Sequence, residues 1–227
     1  MKERLFGLTN PEGNHGEDAK EHYYYLDSTP THSYLKGLYK YPQRAFPYGE
    51  LRRRNAELGK LDREFELHHT GIFEEQRYFD VYMEYAKADP EDILIRATIW
   101  NRGPEKALLK VLPKLWFRNT WSWGDAHESP TQRPVLRAQE EGSVVAEHET
   151  LGRFGWESEE AVPLLFAENE TNTEALYGMA NRHATAKDSI HRALVLGERE
   201  AFEQQTGTKA AMLHALEIPP GEKHVLR

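Results

Sequence analysis

The sequence predicts a mainly β protein: a large antiparallel β-sandwich with a few short helices in the first quarter. After residue 62, alternation of apolar and polar residues with a period of two outweighs helical periodicity. The alternating segments are short and separated by Gly, Pro, Asn or acidic clusters, which is typical of sandwiches and barrels. A chain of 227 residues can form one large core. We therefore predict a single domain over residues 1–227.

The helix signals lie in the first quarter of the chain. Residues 48–58 form the clearest segment, because Pro47 suits a first helical turn and Gly59 suits a C-terminal stop. Three apolar residues within 35–39 also have helical spacing. We expect a helix over 48–58 and helical character around 35–39.

The first strands follow these helices. Residues 78–85 and 93–100 both alternate between apolar and polar side chains, as half-buried strands do. Residues 101–104 contain a Gly-Pro pair that turns the chain, and 107–117 can form a return strand. We therefore predict a hairpin of 93–100 with 107–117.

The later strands are short and separated by turn residues. Their number and spacing extend the sandwich pattern to the end of the chain. The predicted strands are 143–148, 163–167, 189–196, 210–218 and 224 onward.

Composition excludes several classes of function. The net charge is −8 and the basic residues are scattered among acidic ones, so we expect no nucleic-acid partner. The absence of cysteine excludes disulfides and thiolate metal sites. The apolar runs are short and the first residues lack a signal-peptide pattern, so we expect no membrane span and a cytoplasmic protein.

Several segments, in order along nearly the whole chain, carry a family resemblance. They are residues 6–18 with 20–21, 25–34, 77–81, 84–94, 101–105, 115–123, 168–172 and 207–211. Together they resemble bacterial glucosidase-like proteins of the glycoside hydrolase family 63 type. One departure is His69, which stands where the family has Asp before a Thr-Gly pair.

The resemblance implies a domain organisation. In such proteins a β-rich, supersandwich-like N-terminal domain precedes a helical (α/α) barrel, and the barrel supplies the catalytic carboxylates. We therefore expect this chain to be the first domain without its barrel, and to hold no catalytic residue of its own. The parent protein would be an inverting α-glucosidase-like enzyme, and adjacent carboxylates in this chain would be solvated surface charge.

The first candidate site is a polar loop over residues 12–21, in which two glycines loosen the backbone. Its charged and amide side chains need water, a ligand or another domain as partners. They could shape the sugar site of the neighbouring barrel, or they could form a self-capping polar turn. The candidate residues are Glu12, Asn14, His15, Glu17, Asp18 and Lys20.

The second candidate site follows the predicted strand 107–117. Exposed indoles beside amide and guanidinium groups suit sugars, because a ring stacks on the apolar face of a pyranose. The same groups could instead cover the sandwich edge against the barrel. Of Trp116 and Phe117, which continue the strand, we expect one in the core. The candidate residues are Arg118, Asn119, Trp121 and Trp123.

We predict no cofactor and no metal site. The histidines of the first third lack His-Glu-x-x-His spacing, and adjacent His68 and His69 would point to opposite sides of a strand. Residues 168–172 are rich in oxygen ligands that suit a hard cation, but they lack EF-hand spacing. We favour a polar hairpin turn there.

The function that follows is that of an accessory domain, which packs on the catalytic barrel and lends loops to its sugar site. The expected partners are that barrel and a carbohydrate, with a homo-oligomer as a further possibility. The alternatives are an autonomous carbohydrate-binding module, with Arg118, Asn119, Trp121 and Trp123 on the glycan, or a purely structural or oligomerisation unit.

Overall fold

The computed structural model describes residues 2–6, 19–122 and 132–227. The fold is mainly β and β-sandwich-like, with several antiparallel sheets and four short α-helices in this part of the chain. The predicted fold class is confirmed. None of the described helices is long and apolar enough to cross a membrane.

The chain divides into two compact units. The first unit comprises residues 1–109 and 217–227, and the second comprises 110–216. The prediction of a single domain over 1–227 stays a prediction, because compactness alone does not measure independent folding.

The first unit is built on a six-stranded sheet whose hydrogen-bonded neighbours are antiparallel. In spatial order its strands are β1 (Lys2–Phe6), β2 (Ala19–Ser28), β3 (Tyr34–Pro42), β4 (Tyr78–Asp89), β5 (Asp92–Asn101) and β15 (Lys223–Leu226).

The two predicted strands are confirmed as β4 and β5, but burial alternates only over residues 97–101 of β5, and Asp80 and Glu84 of the predicted polar face of β4 are buried. On β4, Phe79 is 1% exposed, and on β5 Ile99 is fully buried. The predicted hairpin of 93–100 with 107–117 is wrong, because β5 pairs with β4 on one side and with β15 on the other. The tight β4–β5 connection at residues 89–92 makes the hairpin instead.

One α-helix of the first unit was predicted. Helix α1 spans Tyr48–Ala56 and begins after Pro47, as expected. Its Leu51 packs with Leu67 and Ile72 in a small apolar cluster. The helical character expected around 35–39 is wrong, because these residues lie in β3, hydrogen-bonded to strands on both sides.

The second unit contains two sheets. In spatial order, one contains β10 (Gly152–Glu157), β9 (Ser143–His148), β8 (Val135–Glu140) and β12 (Thr206–Gly207), and the other contains β11 (Leu164–Ala167), β13 (Lys209–Met212) and β7 (Lys114–Trp116). A two-stranded sheet of β14 (His214–Ile218) and β6 (Ala107–Val111) lies where the chain passes between units.

The core of the second unit is sandwich-like. Leu136 and Val144 of the four-stranded sheet pack against Phe166, Ala210 and Met212 of the three-stranded sheet, and all five are at most 1% exposed. Successive side chains of a strand point to opposite faces, so β11 and β13 also supply a second apolar layer.

Helices cover that second layer. They are α3 (Ser189–Val195) and α4 (Glu200–Glu203), and Ile190, Ala193 and Ala201 pack on Leu165 and Ala211. The predicted strand 189–196 is therefore wrong. Its residues form α3, which buries Ile190 and Ala193 three positions apart. A further short helix, α2 (Thr173–Tyr177), has no buried residues.

Candidate functional site

A cluster of charged and polar side chains surrounds Arg133 in the second unit. The Arg133 Nη2 donates hydrogen bonds to Glu168 Oε2 at 2.6 Å and to Glu170 Oε1 at 2.9 Å. Its Nη1 lies 3.0 Å from His183 Nε2. The two glutamates are mostly buried, with 17% and 13% of their side chains exposed. One guanidinium therefore holds two carboxylates and an imidazole in fixed positions.

Trp121 belongs to this Arg133 cluster. Its indole Nε1 donates a hydrogen bond to Glu170 Oε1 at 2.8 Å. The guanidinium carbon of Arg133 lies 5.3 Å from the indole centroid, within cation–π range. The half-buried indole is thus fixed by a hydrogen bond at one edge and by a cation over the ring.

Strand ends bring the cluster together. Glu168 directly follows β11, and Thr208 lies between β12 and β13. The Thr208 hydroxyl donates to Glu168 Oε2 at 2.6 Å and accepts from the Asn169 amide N–H at 2.8 Å. The Asn169 side chain donates to Phe117 O, just after β7, at 2.8 Å. All three strands of one sheet therefore position the cluster.

The chemistry of the Arg133 cluster suits recognition better than hydrolysis. Glycoside hydrolysis uses an acid and a base or nucleophile roughly 5 to 10 Å apart across open space. Here Glu168 and Glu170 both accept hydrogen bonds from one guanidinium. An indole, a guanidinium and carboxylates are the groups that bind the faces and hydroxyls of sugars.

The residues of the second candidate site have different environments. Arg118 is exposed, whereas Asn119 closes a turn, because its Oδ1 accepts a hydrogen bond from Ser122 N at 3.1 Å. Trp121 is in the Arg133 cluster, and Trp123 lies outside the described residues. These positions do not form one open aromatic platform among the described residues.

The expectation that one of Trp116 and Phe117 belongs to the core is confirmed. Phe117 packs against the sandwich core, and Trp116 is 55% exposed. The two side chains point to opposite faces of the strand, as the period of two requires.

Most of the first candidate site lies outside the described residues. This applies to Glu12, Asn14, His15, Glu17 and Asp18, whose predicted roles stay predictions.

Lys20 is placed, although not in a loop. It lies in β2, where its backbone pairs with Leu5 of β1. Residues 19–21 of the predicted loop therefore lie in a strand, paired with β1.

Two local expectations about metal-type ligands are corrected. His68 and His69 lie in a 3₁₀ helix, Leu67–Thr70, with ring centroids 3.9 Å apart, and do not point to opposite sides of a strand. Residues 168–172 do not form a hairpin turn, because they lead from β11 into α2, where Asn172 caps the helix. Within the described residues, no group of three or more His, Asp and Glu side chains is arranged to hold a metal ion.

The sequence reasoning missed several members of the Arg133 cluster. Glu168 and Thr208 lie in segments that carry the family resemblance, so those segments were the available signal. Arg133 and His183 have no such signal, since each stands alone in sequence and is brought to Glu170 only by the fold.

The first unit has its own buried charges. Asp80 accepts hydrogen bonds from Lys40 and Arg102 at 2.6 and 2.8 Å, and Arg96 donates two hydrogen bonds to Glu84. Both carboxylates are less than 9% exposed and lie on one face of the six-stranded sheet. Each is paired with cations on the neighbouring strands or, for Arg102, directly after one, which is a structural role.

The chain is similar to the uncharacterized protein YMR196W of Saccharomyces cerevisiae. The two are 40% identical over 263 aligned positions, which cover the whole of this chain and 24% of the yeast protein. The chain thus spans about a quarter of the length of the curated relative it matches. No family model and no solved structure matches the chain.

Proposed function

We propose that this chain is the accessory β-rich domain of a larger glucosidase-like glycoside hydrolase. It packs on the catalytic helical barrel and contributes to the sugar site of that barrel. The observation that carries the proposal is the Arg133 cluster, in which three segments with family resemblance, 115–123, 168–172 and 207–211, meet through Trp121, Glu170 and Thr208.

The length of the yeast relative supports a place within a larger protein. This chain matches only 24% of that relative, so in yeast the matching region is accompanied by about three times as much further sequence. A domain within a longer enzyme does not need a complete catalytic pair of its own. The catalytic carboxylates of an inverting hydrolase would lie in the barrel, and a cytoplasmic location is part of the same proposal.

Within this function, the Arg133 cluster positions Trp121. The hydrogen bond to Glu170 holds one edge of the indole, and the Arg133 guanidinium packs over the face of the indole ring. A fixed aromatic ring loses little conformational entropy when it contacts a sugar or the barrel.

The test is the kinetics of the longer protein that carries this domain, with Trp121→Phe as the variant. Phenylalanine keeps an apolar ring but lacks the indole N–H that donates a hydrogen bond to Glu170. We expect kcat/KM on an α-glucoside to fall about tenfold, the size expected for one hydrogen bond to a charged group. Trp100→Phe, which changes an indole of the first unit, is the control. Equal kinetics for both variants and the wild type would refute the role of Trp121.

The autonomous carbohydrate-binding module gives a different result. In that case the 227-residue chain alone would bind glucosylated oligosaccharides, and Trp121→Phe or Arg118→Ala would weaken the binding. Calorimetric titration of the pure chain therefore separates the two functions.

A further inference from the structure

Two lysines and a tryptophan lie on one face of the three-stranded sheet in the second unit. Lys209 of β13 is paired with Trp116 of β7, and Ala211 with Lys114. Paired residues, and residues two apart on a strand, share a face. Ala211 lies on the same face of the sheet, where it packs with residues of α3 and α4.

A third lysine joins them from the segment before α3. The Lys209 Nζ donates a hydrogen bond to the backbone carbonyl of Lys187 at 2.8 Å. Burial, together with the charges of Lys114 and Lys187, lowers the pKa of Lys209 to about 8. The three amines therefore share a region of positive potential.

No carboxylate among the described residues forms an ion pair with Lys114, Lys187 or Lys209. The charge of Asp188 acts on Lys209 and partly offsets the lowering of its pKa, but Asp188 forms its hydrogen bond and ion pair with other residues. Its Oδ2 accepts from the Asn172 side chain at 3.0 Å and lies 3.8 Å from Arg192 Nε. In a protein with a net charge of −8, this lysine cluster is a local exception. An anion would supply the missing negative charge.

Trp116 gives the same face an apolar surface. Trp116 is 55% exposed, although it belongs to a strand whose other face is core. An exposed indole can stack on the C–H face of a pyranose ring. Amines and an indole side by side suit a ligand that has both a sugar ring and an anionic group.

We propose that Lys114, Lys187, Lys209 and Trp116 bind a phosphorylated sugar, with the amines on the phosphate and the indole on the ring. A phosphate monoester is close to a dianion at neutral pH, so it balances several ammonium groups better than a carboxylate does. Lysine is a common point-charge ligand for phosphate. This site adjoins the Arg133 cluster, because the Lys187 backbone N–H donates to the Glu170 carbonyl at 2.9 Å, but it uses different side chains. It goes beyond the proposed function, so either can fail without the other.

The test is calorimetric titration of the 227-residue chain at pH 7 with glucose 6-phosphate, inorganic phosphate and glucose. We expect glucose 6-phosphate to bind most tightly and glucose most weakly. Lys114→Met and Lys209→Met should each weaken glucose 6-phosphate binding at least tenfold, whereas Lys110→Met, an exposed lysine outside the cluster, should change it less than twofold. Trp116→Ala should weaken glucose 6-phosphate but not inorganic phosphate.

A second measurement uses only the wild-type chain and so does not depend on the folding of any variant. In the wild-type chain, the NMR signal of the Lys209 Nζ group should report a raised pKa when glucose 6-phosphate is added. The proposal is overturned if no phosphate compound binds, or if Lys110→Met weakens binding as much as Lys209→Met. Tighter binding of a phosphopeptide or a short RNA, unaffected by Trp116→Ala, would also overturn it and would indicate a macromolecular ligand.

Discussion

Arg133 is the residue on which the Trp121 site depends. It contacts both glutamates and the indole, and its replacement by methionine would leave two mostly buried carboxylates without a cation. We expect Arg133→Met to lower the free energy of unfolding by about 2 to 4 kcal/mol. Urea denaturation of the pure chain measures the change.

Arg137 supplies the matched control for this experiment. It lies four residues further on, in β8, and its Nε is 3.6 Å from Glu147 Oε2 in a pair of half-exposed side chains. Such surface pairs contribute below about 1 kcal/mol. If Arg137→Met costs as much as Arg133→Met, the buried carboxylates do not depend on Arg133.

Lys209 makes stability depend on pH in a defined window. Its pKa is about 8 in the folded chain, and its ordinary value is 10.5. Between these values the unfolded chain binds more protons than the folded chain, so the free energy of unfolding rises as pH rises from 8 towards 10.5. Urea midpoints at pH 7.5 and pH 10 should show a smaller rise in Lys209→Met than in the wild type. Lys110→Met should keep the wild-type rise; an equal rise in all three chains would mean that Lys209 titrates normally.

Gly207 allows the backbone of β12 to lie close to the backbone of β11. A Cβ at this position would lie 2.5 Å from Ala167 O, which is backbone and cannot move aside. Gly207→Ala should therefore destabilise the chain by about 1 to 3 kcal/mol. The control is Gly155→Ala in β10, where the nearest atom is 3.6 Å away on a glutamate side chain. Thermal melts compare the stability of the two variants. Equal losses of stability would mean that the backbone around Ala167 moves to accommodate the new Cβ.

The strands could be predicted where the evidence is local. The apolar–polar alternation of the β4 and β5 sequences is visible in a few consecutive residues, and so is the Pro47 start of α1. The pairing of the strands could not be predicted in this way. Strand β5 pairs with β15, which lies at the far end of the chain, and the turn residues between 101 and 107 give no sign of this partner.

The errors have a common physical origin. Helix α3 is short and is held by packing of Ile190 and Ala193 on the sheet, so tertiary contacts outweigh its weak local preference. The Arg133 cluster combines residues from 121 to 208, and only the fold brings them together. Trp121 itself was predicted from its position beside polar residues, but its partner Arg133 was not.

The first unit presents apolar side chains to solvent on one face of its sheet. Leu35, Tyr85 and Ile95 are paired across three strands, with Ile93 beside them, and they are 36 to 54% exposed. Such a face favours association. We expect the isolated chain to form dimers or larger species, in agreement with either a homo-oligomer or a covering domain in the longer protein.

Sedimentation of a surface variant tests this expectation. Ile93→Lys combined with Ile95→Lys should shift the chain towards monomer, because both charges would enter the apolar face. Leu61→Lys, at a fully exposed position outside that sheet, should leave the association unchanged. A wild-type chain that stays monomeric at high concentration would argue against a covered face.

At the scale of the whole molecule, the proposed function is that this chain assists catalysis and holds no catalytic residue of its own. Both glutamates of the Arg133 cluster accept hydrogen bonds from one arginine. The proposed function places the catalytic carboxylates in a helical barrel of the longer protein. A domain of this kind should assist turnover without performing it.

The most direct measurement is hydrolysis of nitrophenyl α-glucoside by the pure 227-residue chain, beside the longer protein that carries it. The account predicts turnover by the longer protein and only background hydrolysis by the chain alone. Turnover by the chain alone that is abolished by Glu168→Gln, Glu170→Gln, Glu17→Gln or Asp18→Asn would contradict it, because the catalytic carboxylates would then lie within this domain.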